Sequence, residues 1–313
     1  MGFFCAMFAG DLRYDFAIIY QMMRRLGIIV FLVVSAVAAQ ASDVADSTFF
    51  RLEAQMTDVA AELAATRYKD ALQDSLEAKL GTMLGSALKM EKSFEYPFDS
   101  LKTNVSIVTS NDGRLRIFTW FSVGDAGNYH YSGFMQYNDK SAHKVRLFEL
   151  NDCSDKMGNI DNLTLTPQNW FGMIYYGIVD VKCRDGMVYT LLGWDGCGLY
   201  TTKKAIEPLT FNDKGQPRFG KMMVKVGRKK SKRLVFEYNK RATMMIQYDS
   251  QLDMIVMDHL SVMGTQDTDN PMFFGPDMSY DGMKFEDDMW IYVPKIEYKR
   301  PKPKKGSAGR TKN

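Results

Sequence analysis

Residues 172–194 read GMIYYGIVDVKCRDGMVYTLLGW, and this stretch indicates the fold. It holds two runs rich in Val, Ile, Leu, Tyr and Thr, residue types that favour β-strands. Asp185-Gly186 lies between the runs and is a dipeptide typical of type I′ hairpin turns. The stretch therefore predicts an antiparallel hairpin in which Cys183 pairs with Val188.

The same pattern continues on both sides of this hairpin. From Pro97 onward, short apolar segments alternate with turn residues about every 8 to 12 positions, as in all-β sandwiches, barrels and propellers. Asp112-Gly113 predicts a second hairpin. Three later segments follow one another with too little intervening chain for a crossover helix, which excludes parallel pairing among them: 234–238, 243–248 and 253–260.

These features predict a mainly β fold, an antiparallel meander in the form of a large barrel, a sandwich or a propeller-like domain, over residues 94–297. The absence of a fixed-period repeat disfavours the propeller. Within this domain, residues 151–168 look least ordered because they are rich in Asn, Asp and Gly. They include the sequon Asn162-Leu163-Thr164, which matters only in a host that glycosylates.

An N-terminal helical segment is predicted over residues 42–93. Apolar residues recur there at helical spacing from Ser47 to about Met90, which indicates two helices broken near 68–73 or one bent helix. We expect the apolar face to pack on the β domain, and a partner helix or a membrane surface is the alternative. The stripe consists of Phe49, Leu52, Met56, Val59, Leu63, Leu72, Leu76, Leu80, Met83, Leu84 and Leu88.

An export signal is predicted upstream of this segment. Met23-Arg24-Arg25 precedes the apolar run 26–38, and Ala39-Gln40-Ala41 follows as a small-x-small cleavage site. A signal peptide combines these three parts. The run is shorter than the roughly 20 residues of a membrane-spanning helix, which disfavours an anchor. Residues 1–41 are accordingly assigned to the signal and an upstream extension, with Met22 or Met23 as the expected initiator.

Charge is distributed unevenly along the chain. The formal net charge is +3, but residues 298–313 are rich in Lys, Arg, Pro and Gly, which predicts a disordered basic tail. The body is left mildly acidic, which argues against a nucleic-acid partner. The tail is a candidate for contact with an anionic surface of the cell envelope.

The cysteines do not predict a disulfide framework. Downstream of the signal the chain keeps Cys153, Cys183 and Cys197, an odd number. Cys183 and Cys197 would lie at opposite ends of the 172–194 hairpin, so we expect no bond between them.

Five strings together resemble a family of exported bacterial proteins of unknown function. The resemblance covers roughly residues 90–295 and implies a single exported β-rich domain, but it carries over no function, because the family has no assigned activity or catalytic residues. The strings are FEYPFDSL (94–101), LRIFTW (115–120), NWFGMIYY (169–176), YTLLGWDG (189–196) and FGPDMSYDG (274–282).

No catalytic set is predicted from the sequence. The adjacent residues Asp258 and His259 cannot form the Asp-His part of a catalytic triad, because neighbours in a regular strand point to opposite faces. No nucleophile elbow, zinc spacing or phosphate loop occurs, and we expect no cofactor. The basic run 228–233 (RKKSKR) is expected to be a solvated hairpin loop.

One weak calcium-loop pattern occurs near the C-terminus. Asp277, Ser279, Asp281 and Asp288 reproduce the spacing of oxygen ligands in such a loop. The flanking helices are missing, and the alternative is a β-hairpin with Asp287-Asp288 at its turn.

Two aromatic-acid pairs are the candidate ligand site. Trp194-Asp195 and Tyr280-Asp281 each precede a glycine, which suggests that each pair ends a strand. An aromatic ring beside a carboxylate is common in sites for sugars or cations. The alternative is that both pairs are hairpin ends whose Asp caps its own turn.

The functional expectation is therefore an exported protein of the cell envelope, periplasmic, outer-membrane-associated or secreted. It would act as a non-catalytic binding module for a glycan, a peptide or a protein. A glycoside-type hydrolase with an acidic pair acting on a polymer is the alternative.

Processing should occur between Ala41 and Ser42, because the only small-x-small site directly after the apolar run ends there. N-terminal sequencing of the secreted protein measures this. A mature N-terminus before Leu26 would contradict the export prediction.

Overall fold

The computed structural model describes residues 47–66, 69–124, 127–264 and 268–300. They belong to two compact units divided between Ala54 and Gln55. In the first unit the described residues, 47–54, are helical. The export signal, its cleavage site and the tail from residue 301 onward lie outside the described residues.

The N-terminal helical segment contains two helices, as one of the two alternatives predicted. Residues 47–65 form α1 and Asp70–Leu88 forms α2. In α2 the apolar stripe is buried at Leu76, Leu80 and Leu84, and this helix packs on two strands of the β domain. The predicted packing of α2 is thereby confirmed. Among the described residues, neither helix is both long and apolar enough to cross a membrane.

Fifteen strands of the described residues form three open sheets. Sheet I has the order β1-β2-β3-β4, sheet II the order β11-β7-β6-β5 with β8 on β7, and sheet III the order β10-β9-β15-β14-β13-β12. The strands are β1 Ser106–Thr109, β2 Leu115–Val123, β3 Tyr129–Asp139, β4 Lys144–Asn151, β5 Ile174–Cys183, β6 Gly186–Asp195, β7 Thr201–Phe211, β8 Pro217–Phe219, β9 Val224–Val226, β10 Lys229–Ser231, β11 Leu234–Asn239, β12 Ile246–Asp249, β13 Met254–Val262, β14 Phe274–Glu286 and β15 Met289–Ile296.

The predicted mainly β, antiparallel architecture is confirmed, and the sheets of the described residues close into no barrel. One pair departs from the antiparallel rule, since β15 runs parallel to β9. The segments 243–248 and 253–260 form an antiparallel hairpin as predicted. The segment 234–238 instead belongs to β11, which pairs with β7 of sheet II.

The register of the 172–194 hairpin differs from the prediction. Cys183 pairs with Gly186, so the turn residues are Arg184 and Asp185. A type I′ turn needs positive φ at both central residues. Of residues 184–186, only Gly186 has a positive φ, at 131°. The two-residue turn is therefore Arg184-Asp185, one residue earlier than the predicted Asp185-Gly186. From Gly177 to Cys183 the register therefore moves by two residues, which leaves these side chains on their predicted faces, and a bulge at Tyr176 shifts the Ile174 end by one residue more.

Sheet II lies between two hydrophobic cores. One face of β6 contributes Tyr189 and Leu191 to a core shared with sheet I. The other face contributes Val188 and Leu192 to a core shared with sheet III. Because successive strand residues point to opposite faces, this strand must be apolar on both. That requirement explains its nearly continuous apolar sequence.

The segment 151–168, expected to be least ordered, is anchored in the structure. Ile160 and Leu165 are buried in the core between sheets I and II. The main-chain N–H of Leu165 donates to the carbonyl of Phe219 at 2.9 Å. Burial of two apolar side chains therefore orders this segment although its composition is mainly polar.

The basic run 228–233 is only partly the solvated loop that was predicted. Arg228 and Lys229 are exposed at the β9–β10 hairpin, whereas Arg233 is fully buried. The Arg233 Nε donates to Glu207 Oε1 at 2.7 Å, and Glu207 Oε2 accepts the hydroxyl of Tyr175 at 2.6 Å. Arg233 also donates to main-chain carbonyls of the segment 151–168. This ion pair therefore ties that segment to sheet II.

The three cysteines of the described residues are free thiols, in agreement with the expected absence of a Cys183–Cys197 bond.

Glu207→Gln should destabilise the protein by about 3–5 kcal/mol, because it leaves the buried guanidinium of Arg233 without a counter-charge. Chemical denaturation measures the free energy of unfolding. The matched control is Arg228→Gln, an exposed member of the same basic run, with an expected effect within about 0.5 kcal/mol. Equal stability of the two variants would contradict the role of the ion pair.

Candidate functional site

A groove of about 820 Å³ lies on the outer face of sheet I. One wall is α2, and the floor and other wall are β3 and β4. We call it the α2–β4 groove. Its volume lies within the range of about 300–1,000 Å³ that is typical of ligand pockets.

Small residues on one face of α2 create the groove. Gly81, Thr82, Gly85 and Ser86 line it, at the i, i+4 spacing that places residues on one helix face. A Cβ atom at Gly85 would lie 3.0 Å from the ring of Phe134, so glycine allows close approach of helix and sheet there. The helix packs on β2 and β3 and leaves the neighbouring edge strand β4 uncovered.

Trp120 of β2 contributes a buried polar group to this site. The side chain lines the groove and is only 3% exposed. Its Nε1–H has no hydrogen-bond partner among the described residues. The indole Cζ2 lies 3.9 Å from a Cβ built on Gly81, and the same side chain also lines a smaller cavity with Ala60 and Leu63. A buried donor without an acceptor is uncommon in folded proteins.

The polar lining of the groove is mainly acidic. Asp74, Glu77, Glu149 and Asp152 line it, and the basic residues of the lining are Lys89 and His130. Asp74 and Glu149 are exposed. The groove therefore favours ligands that carry cationic groups or hydrogen-bond donors.

Two of these carboxylates are already engaged by the protein. Glu77 accepts hydrogen bonds from the hydroxyls of Ser122 and Ser132. Asp152 accepts the main-chain N–H groups of Tyr131 at 3.0 Å, Ser154 at 2.9 Å and Gly172 at 3.2 Å. These contacts fix the end of β4 against β3 and orient both carboxylates.

The first predicted aromatic-acid pair lies at the end of β6, in sheet II. The ring of Trp194 is half-buried, with its centroid 5.7 Å from that of Phe121. Asp195 is buried, and its Oδ1 accepts the hydroxyl of Tyr131 and the main-chain N–H of Cys197, both at 2.8 Å. Burial raises the pKa of Asp195 above its ordinary value.

The second predicted pair lies in sheet III, inside β14 and not at a strand end. The expectation that Tyr280-Asp281 ends a strand is therefore wrong. The register of β14 with β15 shifts between Tyr280 and Gly282, so this glycine marks a bulge within the strand. The two predicted pairs thus lie in different sheets, and their joint role as a ligand site stays a prediction.

Asp281 has partners that the sequence did not reveal. Its carboxylate accepts the Tyr292 hydroxyl at 2.5 Å and the main-chain N–H of Lys295 at 2.9 Å, and lies 2.6 Å from His259 Nδ1. Asp258, which precedes His259 in β13, instead accepts a hydrogen bond of 2.6 Å from the guanidinium of Arg300. Asp258 and His259 thus have separate partners, as expected of strand neighbours, and the cross-strand contact of His259 could not be read from spacing.

The calcium-loop pattern falls on a β-hairpin. Asp287 and Asp288 have φ values of 50° and 62°, as the two central residues of a type I′ turn require. Asp288 Oδ2 lies 3.0 Å from the guanidinium of Arg184. Asp277 binds the hydroxyl and N–H of Ser279, the next residue of the pattern. Within the described part of the chain, no three His, Cys, Asp or Glu side chains are grouped to hold a metal ion.

Comparisons of the chain with protein-family models, with curated proteins and with solved structures found no match. The resemblance noted in the sequence therefore stays an expectation, and the site must be argued from its own geometry.

Asp195→Asn should become progressively more stable than the parent protein as the pH rises from about 4 to 7. The folded protein holds the Asp195 proton more tightly than the unfolded chain does. Ionisation of Asp195 as the pH rises through this range therefore costs folding free energy. An amide avoids this cost and can still accept the two hydrogen bonds. Denaturation at several pH values measures the difference.

Asp185→Asn is the control with the opposite sign. A hydrogen bond from Lys221 lowers the pKa of Asp185, so its contribution is present at neutral pH and is lost in acid. This variant should lose relative stability as the pH rises from about 2 to 4, below and through the ordinary pKa of an aspartate, and should change little from about pH 4 to 7. A flat or falling difference for Asp195→Asn would contradict the assignment of a raised pKa.

Proposed function

We propose that the protein is an exported, non-catalytic binding module whose ligand occupies the α2–β4 groove. The observation that carries this proposal is the unpartnered Nε1–H of Trp120. Leaving a buried donor unsatisfied costs about 1–3 kcal/mol. This nitrogen is inaccessible to solvent, so a ligand oxygen would supply the missing acceptor only after the wall formed by α2 moves.

Binding is favoured over catalysis by the state of the carboxylates. A hydrolase of the glycoside type needs two carboxyl groups that exchange protons with substrate and water. Asp152 accepts three main-chain N–H groups, which hold it in a structural role. Glu77 likewise accepts two serine hydroxyls. The groove thus offers fixed polar contacts.

Export is the part of the proposal that rests on the sequence alone. The basic start, apolar run and small-x-small site over residues 23–41 support it. An exported binding module would meet its ligand in the cell envelope or outside the cell.

A groove-filling variant tests the proposed site. Ala78 is an exposed residue of α2 that lines the groove, so Ala78→Trp should fill the groove without entering the core. The parent protein is titrated with two probe panels, neutral oligosaccharides and heptapeptides. The readout is the indole N–H NMR signal of Trp120, one of four tryptophans. A bound probe should shift this signal in the parent protein and leave it unmoved in Ala78→Trp.

The matched control is Ala71→Trp, at an exposed α2 position outside the groove lining. It should bind like the parent protein. The proposal is wrong if neither panel shifts the Trp120 signal, or if Ala78→Trp binds as well as Ala71→Trp.

A further inference from the structure

We propose that the protein has a second ligand site, which binds a small aromatic carboxylate in a pocket at the border between sheets I and II. The pocket lies near the ends of β3 and β7 and the start of β6, and its volume is about 360 Å³. That volume is within the range of ligand pockets. Its lining residues all differ from those of the α2–β4 groove, so this inference goes beyond the proposed function. We call it the Arg114 pocket.

Three aromatic rings line the apolar part of the Arg114 pocket. The rings of Tyr137 and Phe211 stack with their centroids 3.6 Å apart, and Tyr189 meets Phe211 edge-on at 6.0 Å. Tyr137 and Tyr189 belong to the core between the two sheets, whereas Phe211 and Met187 are only partly buried at its border. The core therefore holds these rings in place, and their exposed surface favours a flat apolar ligand.

Arg114 places a positive charge beside these rings. Its Cζ lies 5.0 Å from the centroid of the Tyr137 ring. The guanidinium donates to the carbonyl of Asn138 at 3.3 Å and to the Tyr137 hydroxyl at 2.6 Å, and both of these acceptors are uncharged. In the described part of the chain, this half-buried guanidinium has no carboxylate partner. A guanidinium binds carboxylates in a bidentate geometry, so Arg114 can still accept an anionic ligand.

Lys221 is the second cation of the lining. Its Nζ donates to both carboxylate oxygens of Asp185, at 2.6 and 2.7 Å. The Asp185 side chain is 70% exposed, so this ion pair contributes little to stability and competes weakly for the lysine. The lining thus carries two permanent cations against one carboxylate. This excess of positive charge favours an anion.

The hydroxyl groups of the pocket favour an aromatic acid over a sugar acid. A sugar presents several hydroxyls, and each of them needs a hydrogen-bond partner when it is buried. The Tyr137 hydroxyl is occupied by Arg114, and the Tyr189 hydroxyl donates to Asp112 at 2.9 Å. Thr210 is the one other hydroxyl side chain of the lining. Cations beside aromatic rings match a carboxylate on an aromatic ring.

The ligand class is tested with the probe 2-naphthoate in equilibrium dialysis. We expect a dissociation constant of about 1 mM or lower, as for a small ligand of this size. Naphthalene-2-carboxamide keeps the rings and removes the charge, whereas decahydronaphthalene-2-carboxylate keeps the charge and removes the aromaticity. Each should bind at least about fivefold more weakly than 2-naphthoate.

The position of the site is tested with variants. Arg114→Met should weaken binding of 2-naphthoate at least about tenfold, and Arg114→Lys should recover only part of the loss, because lysine lacks the planar fork. The matched control Arg184→Met removes an exposed arginine of the β5–β6 turn outside the lining. It should bind within about twofold of the parent protein.

Asp185→Asn should have the opposite effect and tighten binding of 2-naphthoate about two- to fivefold, because it frees Lys221 for the carboxylate. Damage to the fold would not produce tighter binding. Isotope-labelled methionine methyl groups give a local NMR readout. The Met187 signal, assigned with Met187→Leu, should shift on binding.

The inference is wrong if either altered probe binds as tightly as 2-naphthoate, or if the Met187 signal stays unmoved. It is also wrong if Arg114→Met binds as well as Arg184→Met, or if Asp185→Asn weakens binding. Tighter binding of glucuronate than of 2-naphthoate would overturn the aromatic class. The α2–β4 groove is monitored by the Trp120 signal and the Ala78→Trp variant, so failure of one site is distinguishable from failure of the other.

Discussion

Burial of sheet II on both faces is the constraint on which the rest of the structure depends. Its strands face one core toward sheet I and another toward sheet III. Any polar side chain in this sheet must therefore find its partner inside the protein. Glu207 binds Arg233 and Tyr175, and Thr190 accepts the indole N–H of Trp290 at 2.9 Å. These internal bonds fix the segments that connect the sheets.

The same constraint leaves the α2–β4 groove to the outside of sheet I. The outer face of sheet I is covered by α2, over β2 and β3, and by the segment that follows α2, where the carbonyls of Ser93 and Tyr96 accept from Arg116. Glycine residues in α2 cost helix stability, about 1 kcal/mol each relative to alanine. At Gly85 the absence of a side chain allows the helix to approach Phe134 closely. The groove beside β4 is a consequence of this placement.

Local signals were enough to predict the mainly β class, the strands beside the Asp112-Gly113 and Asp185-Gly186 turns and the hairpin of β12 with β13, because turn residues and alternation act over a few positions. The register of the 172–194 hairpin required the φ values of Arg184 and Asp185, which sequence alone does not give. The position of Gly282 was misread because a glycine after an aromatic-acid pair can mark either a strand end or a bulge. The groove escaped prediction because it depends on where α2 packs, although Gly81 and Gly85 at i, i+4 were a visible signal.

Hydrogen-bond satisfaction separates structural from functional groups in this protein better than residue type does. The carboxylates of Asp195, Asp281 and Glu207 attract attention in the sequence or the core, yet each is occupied by donors of the protein itself. A group whose partners are all internal is required for folding and has little capacity left for a ligand. Among the groups that line the groove, the indole N–H of Trp120 is the reverse case, because no described residue accepts it.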